Sequence, residues 1–389
     1  MSSSQLRSHV QSLRSYEDCQ QFRLQWDALV ALHSGEINTL DPTSCFDWAM
    51  ALWQSHLKVQ DQEVLVLRQG DDVTGILPLY RFQKKVRGIP CRSVAPFTEL
   101  YGGRTGFLLK DPRVENLDAL LTHAQDRLPS WDTFVLTVVD GSDFEKLLLD
   151  LVSRKRWHFE ILNKERSPFI PFLDTWENHF ASLPKKLRST MRNGEKRLRE
   201  RGELTYKECR TLDEVQEFNV AVAAIERESW KAEAGTSIAS NPVHDAFHRD
   251  LALRAAACGY FSGHLLLLNR EPIAYIMGLL QQGVFLDLKE SYRAVFREMS
   301  PGHVLKSFAF ARLYEHGTHV YDFMGKCEEY KLKWTDQTYC RSTYLVFSNS
   351  WRSRIARWAF QLSSRKSIPS PPNAPPVQEG TGSIEEAVK

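Results

Sequence analysis

A strand–turn–strand unit occurs twice in this chain, and its recurrence restricts the fold more than any other feature. Residues 63–79 read EVLVLRQGDDVTGILPL, and residues 264–280 read HLLLLNREPIAYIMGLL, each a pair of apolar runs around a short polar turn. The context repeats as well. In the first half, residues 92–97 and 133–139 read as further strands around a helical pattern at 114–127. In the second half, 284–288 reads as a strand, 301–314 as an amphipathic helix closed by Gly317, and 319–323 as a strand. Helical patterns at 42–56, 184–201, 211–230 and 242–258 precede or separate these runs. Strands alternating with helices predict a mixed α/β (α+β) fold, and two similar α/β domains in tandem are the most economical arrangement.

The length of 389 residues suits two domains of ordinary size. With 42% hydrophobic and 25% charged residues, collagen-like, wholly disordered and membrane-spanning classes are excluded. The net charge of +2 conceals segregation. Residues 185–201 carry eight basic and two acidic side chains, residues 351–366 carry five basic and none acidic, and the remaining body is acidic. Compact basic patches predict anionic partners at defined places. The expected divisions are 1–160 and 161–350 for the two domains, 351–366 for a basic amphipathic helix, and 367–389 for a proline-rich disordered tail.

Seven cysteines without a closely spaced pair indicate neither a disulfide framework nor a zinc knuckle, so a reducing, cytoplasmic setting is expected. The first twelve residues lack a signal-peptide core, and the most apolar stretch is broken by Asn269, Arg270, Glu271 and Pro272. Any membrane contact is therefore expected to be peripheral, at an inner membrane face.

The best anion site is the segment Ser300-Pro301-Gly302-His303, which follows the strand VFLDLKESY and opens a helix. Serine suits an N-cap, proline suits a first helical position, and Gly302 leaves the N–H groups approachable by phosphate. Lys306, one turn on, could add a charge. The same three residues could equally do no more than start a helix.

The order of these pieces resembles the GNAT acyltransferases. It resembles in particular the CelD-like (BioF-like) acetyltransferases of cellulose and exopolysaccharide operons, relatives of the FemABX peptidyltransferases. The matching residues are Leu183-Pro184-Lys185 with Arg188 and Arg192, Glu228-Ser229-Trp230-Lys231 with Gly235-Thr236, Ser300-Pro301-Gly302, Asp322-Phe323 with Gly325, and Tyr330-Lys331 with Trp334. In the first half Phe46-Asp47-Trp48 and Gly75-Ile76-Leu77-Pro78-Leu79 fit the same pattern. The resemblance implies tandem GNAT-like domains, each with a mixed, mostly antiparallel sheet flanked by helices. It also implies acetyl-CoA or another acyl-CoA as donor, held at Ser300, Pro301, Gly302, His303 and Lys306 in the second copy. The first copy departs from the pattern, because no helix starts directly after its third strand at Glu99-Leu100-Tyr101, and it reads as a degenerate partner.

Acyl transfer from a thioester to an amine requires a base for the ammonium, donors for an oxyanion, and an acid for the leaving thiolate. The candidate bases are Asp287, Glu226 and Glu228, and the candidate acids are Tyr292 and Tyr330. Strand alternation leaves open which face Asp287 occupies. A Tyr-Lys-x-Lys stretch at the FemABX transfer site makes Lys331 and Lys333 further candidates by resemblance. Arg188, Arg192, Trp230, Lys231, Asp322 and Gly325 are expected near the acceptor, a small-molecule or lipid-linked amine.

Arg188, Arg192, Lys196 and Arg199 recur at helical spacing, as either a solvated face or a phosphate-binding stripe. Trp351, Ile355, Trp358, Ala359 and Leu362 share one face of the C-terminal segment, with arginines elsewhere, which suits an interfacial helix or packing onto the body. His244 and His248 stand one turn apart without the glutamate of a zinc protease or a third ligand, so no metal is expected. No dinucleotide or Walker loop and no nucleophile elbow occur. The expected activity is N-acyl transfer by direct attack. The alternatives are aminoacyl transfer from charged tRNA, the one case in which nucleic acid would be a partner, and a non-catalytic subunit of envelope-polysaccharide assembly.

Overall fold

A computed structural model describes residues 8–32, 42–56, 61–101, 103–127, 130–229 and 241–364. Trp230, Lys231, Gly235, Thr236 and the expected disordered tail at 367–389 lie outside these described residues. The strands are β1 (Ser8–Leu13), β2 (Asp61–Gln69), β3 (Asp72–Val86), β4 (Ile89–Pro96), β5 (Leu108–Leu109), β6 (Thr133–Val139), β7 (His158–Pro171), β8 (Leu204–Cys209), β9 (Phe261–Leu268), β10 (Glu271–Gln281), β11 (Val284–Tyr292), β12 (Val320–Asp322) and β13 (Thr338–Phe347). The longer helices are α1 (Arg23–Leu32), α2 (Phe46–Ser55), α3 (Val114–Asp126), α4 (Asp143–Arg154), α5 (Lys185–Arg199), α6 (Leu212–Arg227), α7 (Pro242–Ala257), α8 (Pro301–Glu315) and α9 (Trp351–Ser364).

The chain forms two compact units. The first comprises Met1–Leu32, Val59–Lys164 and Ser342–Lys389, and the second comprises His33–Lys58 and Glu165–Arg341. Two segments are placed differently from a simple linear division: 33–58 goes with the second unit and 342–389 with the first. Phe46-Asp47-Trp48 therefore sits in the second unit, where Trp48 meets Phe247 edge-on at 5.2 Å and Asp47 accepts a 2.8 Å hydrogen bond from Tyr260. Burial of these partners, far apart in sequence, decides the placement.

In the first unit the strands run in the order β1-β2-β3-β4-β6, followed by residues 342–347 of β13 and 158–164 of β7. The pairs β1/β2, β2/β3 and β3/β4 are antiparallel, and β4/β6 is parallel. The β2–β3 turn uses Gly70 at φ +62°, a conformation glycine adopts without steric cost. Helix α3 crosses from β4 to β6, as a parallel pair requires. After the third strand the chain makes a 3-10 turn, Phe97–Tyr101, where buried Glu99 accepts from the Thr137 N–H at 2.5 Å and from the hydroxyls of Thr105 and Thr137.

The second unit repeats this order. Its strands run β7-β12-β11-β10-β9-β8, with the hairpin β9/β10 and the pair β10/β11 antiparallel, and β11/β12 parallel across α8. The hairpin turn is Asn269-Arg270, both at positive φ, the geometry of a two-residue hairpin. Helices cover both faces of the sheet. On one side, Leu187, Met191 and Leu198 of α5 and Val304, Leu305, Ala309 and Phe310 of α8 enclose Leu266, Ile276 and Phe285. On the other, Phe218 of α6 meets Phe261 and Tyr275 at 5.4 and 6.1 Å. Tyr275 and Ile276 are neighbours on β10, so their opposite burial follows strand alternation. Each fully buried large apolar side chain contributes roughly 1.5–3 kcal/mol. Both units thus have the expected mixed α/β form, mostly antiparallel and flanked by helices.

The expected 351–366 helix is observed at Trp351–Ser364. It lies in the first unit against β4 and β3. Among the described residues no helix is long and apolar enough to cross a membrane.

Candidate functional site

The parallel pair β11/β12 holds for three residue pairs only, ending at Leu286 opposite Asp322. β11 then continues for six residues to Tyr292 while β12 ends, so the chain parts immediately before Asp287. Ligands of open sheets bind where parallel strands part at their carboxyl ends.

A bulge fixes what faces this opening. Along β10/β11 the register steps from Met277 opposite Lys289 to Gly278 opposite Asp287, which leaves Leu288 as the extra residue. The bulge puts Asp287 and Glu290, rather than Asp287 and Lys289, on one face. Lys306 of α8 reaches both carboxylates, at 3.4 Å from Asp287 Oδ2 and 2.8 Å from Glu290 Oε2. Gly278 is required opposite the bulge, because a Cβ there would lie 2.1 Å from the Phe285 ring and 2.7 Å from the Leu286 carbonyl oxygen.

Asp287 is buried and accepts a 2.7 Å hydrogen bond from Tyr321 Oη. Burial first, then Glu290, pushes its carboxyl up to about 6, against the opposing pull of Lys306 and Tyr321. The Lys306 ammonium lies 4.5 Å above the Phe323 ring and 5.3 Å above that of Tyr321, a desolvated cation–π setting. Burial, with Asp287 beside it, holds the Tyr321 phenol well above its ordinary range. Tyr330 stands at the edge of this cluster, 36% exposed. Its phenol is raised by burial and then by Glu290, Glu328 and Asp287, so it keeps its proton at neutral pH.

Lys331 is buried with its ammonium turned to a loop. It donates to Met324 O at 3.0 Å and Lys326 O at 3.4 Å, and pairs with Glu328 at 3.0 Å. Met324 and Gly325 are both at positive φ. Asp322 accepts from the Met324 N–H at 2.7 Å and from Tyr339 Oη at 3.1 Å, and Ser167 donates to Gly325 O at 2.7 Å. Asp322 and Gly325 thus shape the loop that holds Lys331. Lys333 is half-exposed, 3.8 Å from Glu329.

The helix start at Ser300 has a different geometry from an ordinary serine cap. Ser300 sits at φ +50°, ψ +48° and its side chain caps nothing, while His303 and Val304 donate their N–H groups to its carbonyl. This is the backbone region that favours glycine, in keeping with Ser300 standing where the resemblance expects a glycine-rich loop. A Cβ at Gly302 would meet only Tyr292, at 3.5 Å, so the helix start is open. His303 is held neutral, its imidazole lowered by burial to about 4, and lies 5.7 Å from Trp334. Lys306, expected at the phosphates, is instead 2% exposed in its side chain and engaged with Asp287 and Glu290, because its position on α8 faces the sheet.

The remaining candidates separate. Glu226 is buried and accepts a 2.5 Å hydrogen bond from Tyr275. Glu228 is surface-exposed, 3.6 Å from Arg293, which lies beyond the end of β11, six residues after Asp287. Arg192 is exposed on α5 over the Phe180 ring at 5.2 Å, and Arg188 is half-buried. His248 is buried with Nδ1 bonded to the His244 carbonyl at 2.6 Å. Among the described residues no group of three or more His, Cys, Asp or Glu side chains stands where it could hold a metal.

Residues 185–332, entirely within the second unit, match the family model of the acetyltransferase (GNAT) domain. No curated protein matches the chain. The crystal structure of FemX shares its fold at 14% identity and a TM-score of 0.58, over 90% of this chain and 99% of FemX. A conserved protein of unknown function from Bacteroides thetaiotaomicron matches at 14% identity and 0.54, over 84% and 97%. The C-terminal domain of a protein named as a lysylphosphatidylglycerol synthetase from Agrobacterium fabrum matches at 12% and 0.52, over 89% and 96%. The domain match supports an acyltransferase, and at these identities the structural likenesses establish the fold alone.

Proposed function

We propose that the second unit transfers an acyl group from coenzyme A to an amine, with Asp287 as general base and Tyr330 as general acid. The reading extends to the CelD-like branch, with an amine-bearing sugar, lipid or related metabolite as acceptor. The observation that carries it is the buried Asp287 carboxyl, raised to about 6, at the point where β11 and β12 part. A base poised near the working pH accepts a proton while remaining largely ionised at pH 7.

Bound acyl-CoA would supply the thioester. Ser300, Pro301, Gly302 and His303 would hold its phosphates, since the Gly302 position admits close approach of an anion to the helix start. Asp287, directly or through one water, takes a proton from the substrate ammonium. The freed nitrogen lone pair forms the C–N bond at the acyl carbon. The carbonyl electrons move to oxygen, where backbone N–H groups near the end of the β11/β12 pairing would be the donors. Return of those electrons breaks the C–S bond, the Tyr330 hydroxyl protonates the leaving sulfur, and the second proton that nitrogen sheds as the amide forms restores the Tyr330 hydroxyl. Lys306 sets the charge on Asp287, and Tyr321 orients it. Lys331, by holding the 324–328 loop, positions Tyr330.

Calorimetry with coenzyme A and acetyl-CoA, followed by thiol-release assays over a panel of amines, tests the reading. Micromolar binding that is weakened by a bulky residue at Gly302 is expected. Wild-type protein that binds no coenzyme A would overturn it. The exposed basic face of α5 favours a second reading, an aminoacyl donor carried on tRNA. That reading requires salt-sensitive tRNA binding lost on changing Arg188 and Arg192.

A further inference from the structure

Helix α9 carries two apolar faces. Ser353 and Ala356 are fully buried, and Phe360 packs against Phe347 at 6.4 Å with the Arg87 guanidinium 5.2 Å above its ring. This inner face fastens the helix to β4 and β3 of the first unit. On the outer face Trp351, Ile355, Trp358 and Leu362 are 66%, 43%, 64% and 39% exposed. At about 100° per residue these four fall within an arc of about 60°, opposite the buried residues. The remaining large exposed apolar side chains among the described residues are dispersed over other elements.

The flanks of the outer stripe are basic. Arg352 lies on one side, with its guanidinium 5.2 Å over the Trp351 ring, and Arg354 and Arg357 lie on the other. The helix contains no acidic residue. Because Ser353, Ala356 and Phe360 already fasten the helix to the body, the outer tryptophans are not a core face awaiting partners within this unit. Two tryptophans, an isoleucine and a leucine flanked by arginines match the layering of a membrane interface. Indole rings favour the headgroup level, aliphatic side chains the acyl boundary, and guanidinium groups anionic phosphates. Charge complementarity thus selects one occupant.

We propose that α9 docks the first unit peripherally onto an anionic lipid surface, with Trp351, Ile355, Trp358 and Leu362 entering the interface and Arg352, Arg354 and Arg357 contacting lipid phosphates. The helix lies flat on the surface while its inner face stays on the sheet. This docking is independent of the chemistry assigned to the second unit.

The test is co-sedimentation of the full chain with phosphatidylcholine vesicles, with and without phosphatidylglycerol, together with thermal melts and light scattering. Wild-type protein is expected to bind the phosphatidylglycerol vesicles, to bind pure phosphatidylcholine at least tenfold more weakly, and to be released by salt. Trp358→Glu should weaken binding at least tenfold with an unchanged melting temperature, since Trp358 is largely exposed. Arg352, Arg354 and Arg357 changed together to Gln should abolish the preference for anionic lipid. Absence of vesicle binding by the wild type would overturn the proposal. So would a wild-type dimer that Trp358→Glu converts to monomer, because a second copy would then cover the stripe.

Discussion

Tyr321 Oη donates a 2.7 Å hydrogen bond to Asp287 Oδ2, from a strand that pairs with β11 for only three residues. The bond joins the middle rung of a three-rung parallel pair, Phe285 opposite Tyr321, to the first carboxylate beyond the last rung. It holds Asp287 in one orientation at the mouth of the opening, and Lys306 and Glu290 set the field around it.

The first prediction concerns pH. Burial and then Glu290 raise the Asp287 carboxyl to about 6, and Lys306 opposes them. The base acts as carboxylate, so kcat/KM should rise with pH through about 6 and then level. Removing the cation in Lys306→Met should move that limb to higher pH, and Glu290→Gln should move it lower. Asp287→Asn should cost roughly 10²–10⁴-fold in kcat with the fold retained. A limb that stays fixed in both Lys306→Met and Glu290→Gln would remove Asp287 from the base role.

The second prediction contrasts two glycines. A Cβ at Gly194 of α5 would lie 2.4 Å from the Met299 carbonyl oxygen, backbone that cannot rotate away. Gly194→Ala should therefore part α5 from the 294–299 turn and lower stability by about 1–3 kcal/mol, read by denaturant midpoint. Gly302→Leu meets only the Tyr292 ring at the Cβ position and should leave the midpoint near wild type while weakening coenzyme A. Equal loss of stability in both variants would contradict this division.

Much of this arrangement is legible in the sequence. The two hairpins, the helix at 301–315 and the strand at 133–139 follow from apolar periodicity and turn residues. Strands β7 and β13 are not legible. β7 is largely polar over residues 158–167, and β13, TYCRSTYLVF, ends in four consecutive buried residues, so neither shows the alternation of a half-buried strand. At the proposed site, Asp287 and Tyr330 are candidates by residue type, Lys306 by its place one turn past the helix start, and Lys331 by resemblance alone. Glu290 and Tyr321 are missed for different reasons. Strict alternation pairs Asp287 with Lys289, and only the bulge at Leu288 brings Glu290 to the same face. Tyr321 reads as a core aromatic beside the more conspicuous Asp322, although its hydroxyl is the group that meets Asp287.

The third prediction uses the strain at Ser300. A non-glycine residue at φ +50° carries a cost of about 1 kcal/mol that glycine lacks, and the serine hydroxyl makes no compensating cap. Ser300→Gly should therefore raise stability by about 0.5–1 kcal/mol in denaturant titration. Coenzyme A affinity should be kept, because the N–H groups at the helix start do not move. A destabilised variant would mean that the hydroxyl has a partner the backbone geometry does not require.

The last prediction is loss of stability in mild acid, carried by buried imidazoles. His264 is fully buried between Tyr206 Oη at 2.8 Å and Ser262 Oγ at 3.2 Å, and burial lowers it to about 4. His248, on the buried face of α7, is lowered by burial to about 3. The unfolded chain protonates both near 6.5 while the folded chain does not, so the stability they confer is complete above 6.5 and declines as pH falls. Between pH 6.5 and 5 each should forfeit roughly 2 kcal/mol. Urea titrations at pH 7, 6 and 5 would read this decline, and His248→Gln should shallow it by the roughly 2 kcal/mol that this imidazole carries. Stability that is level over that range in the wild type would mean the imidazoles reach water, contrary to their burial on β9 and α7.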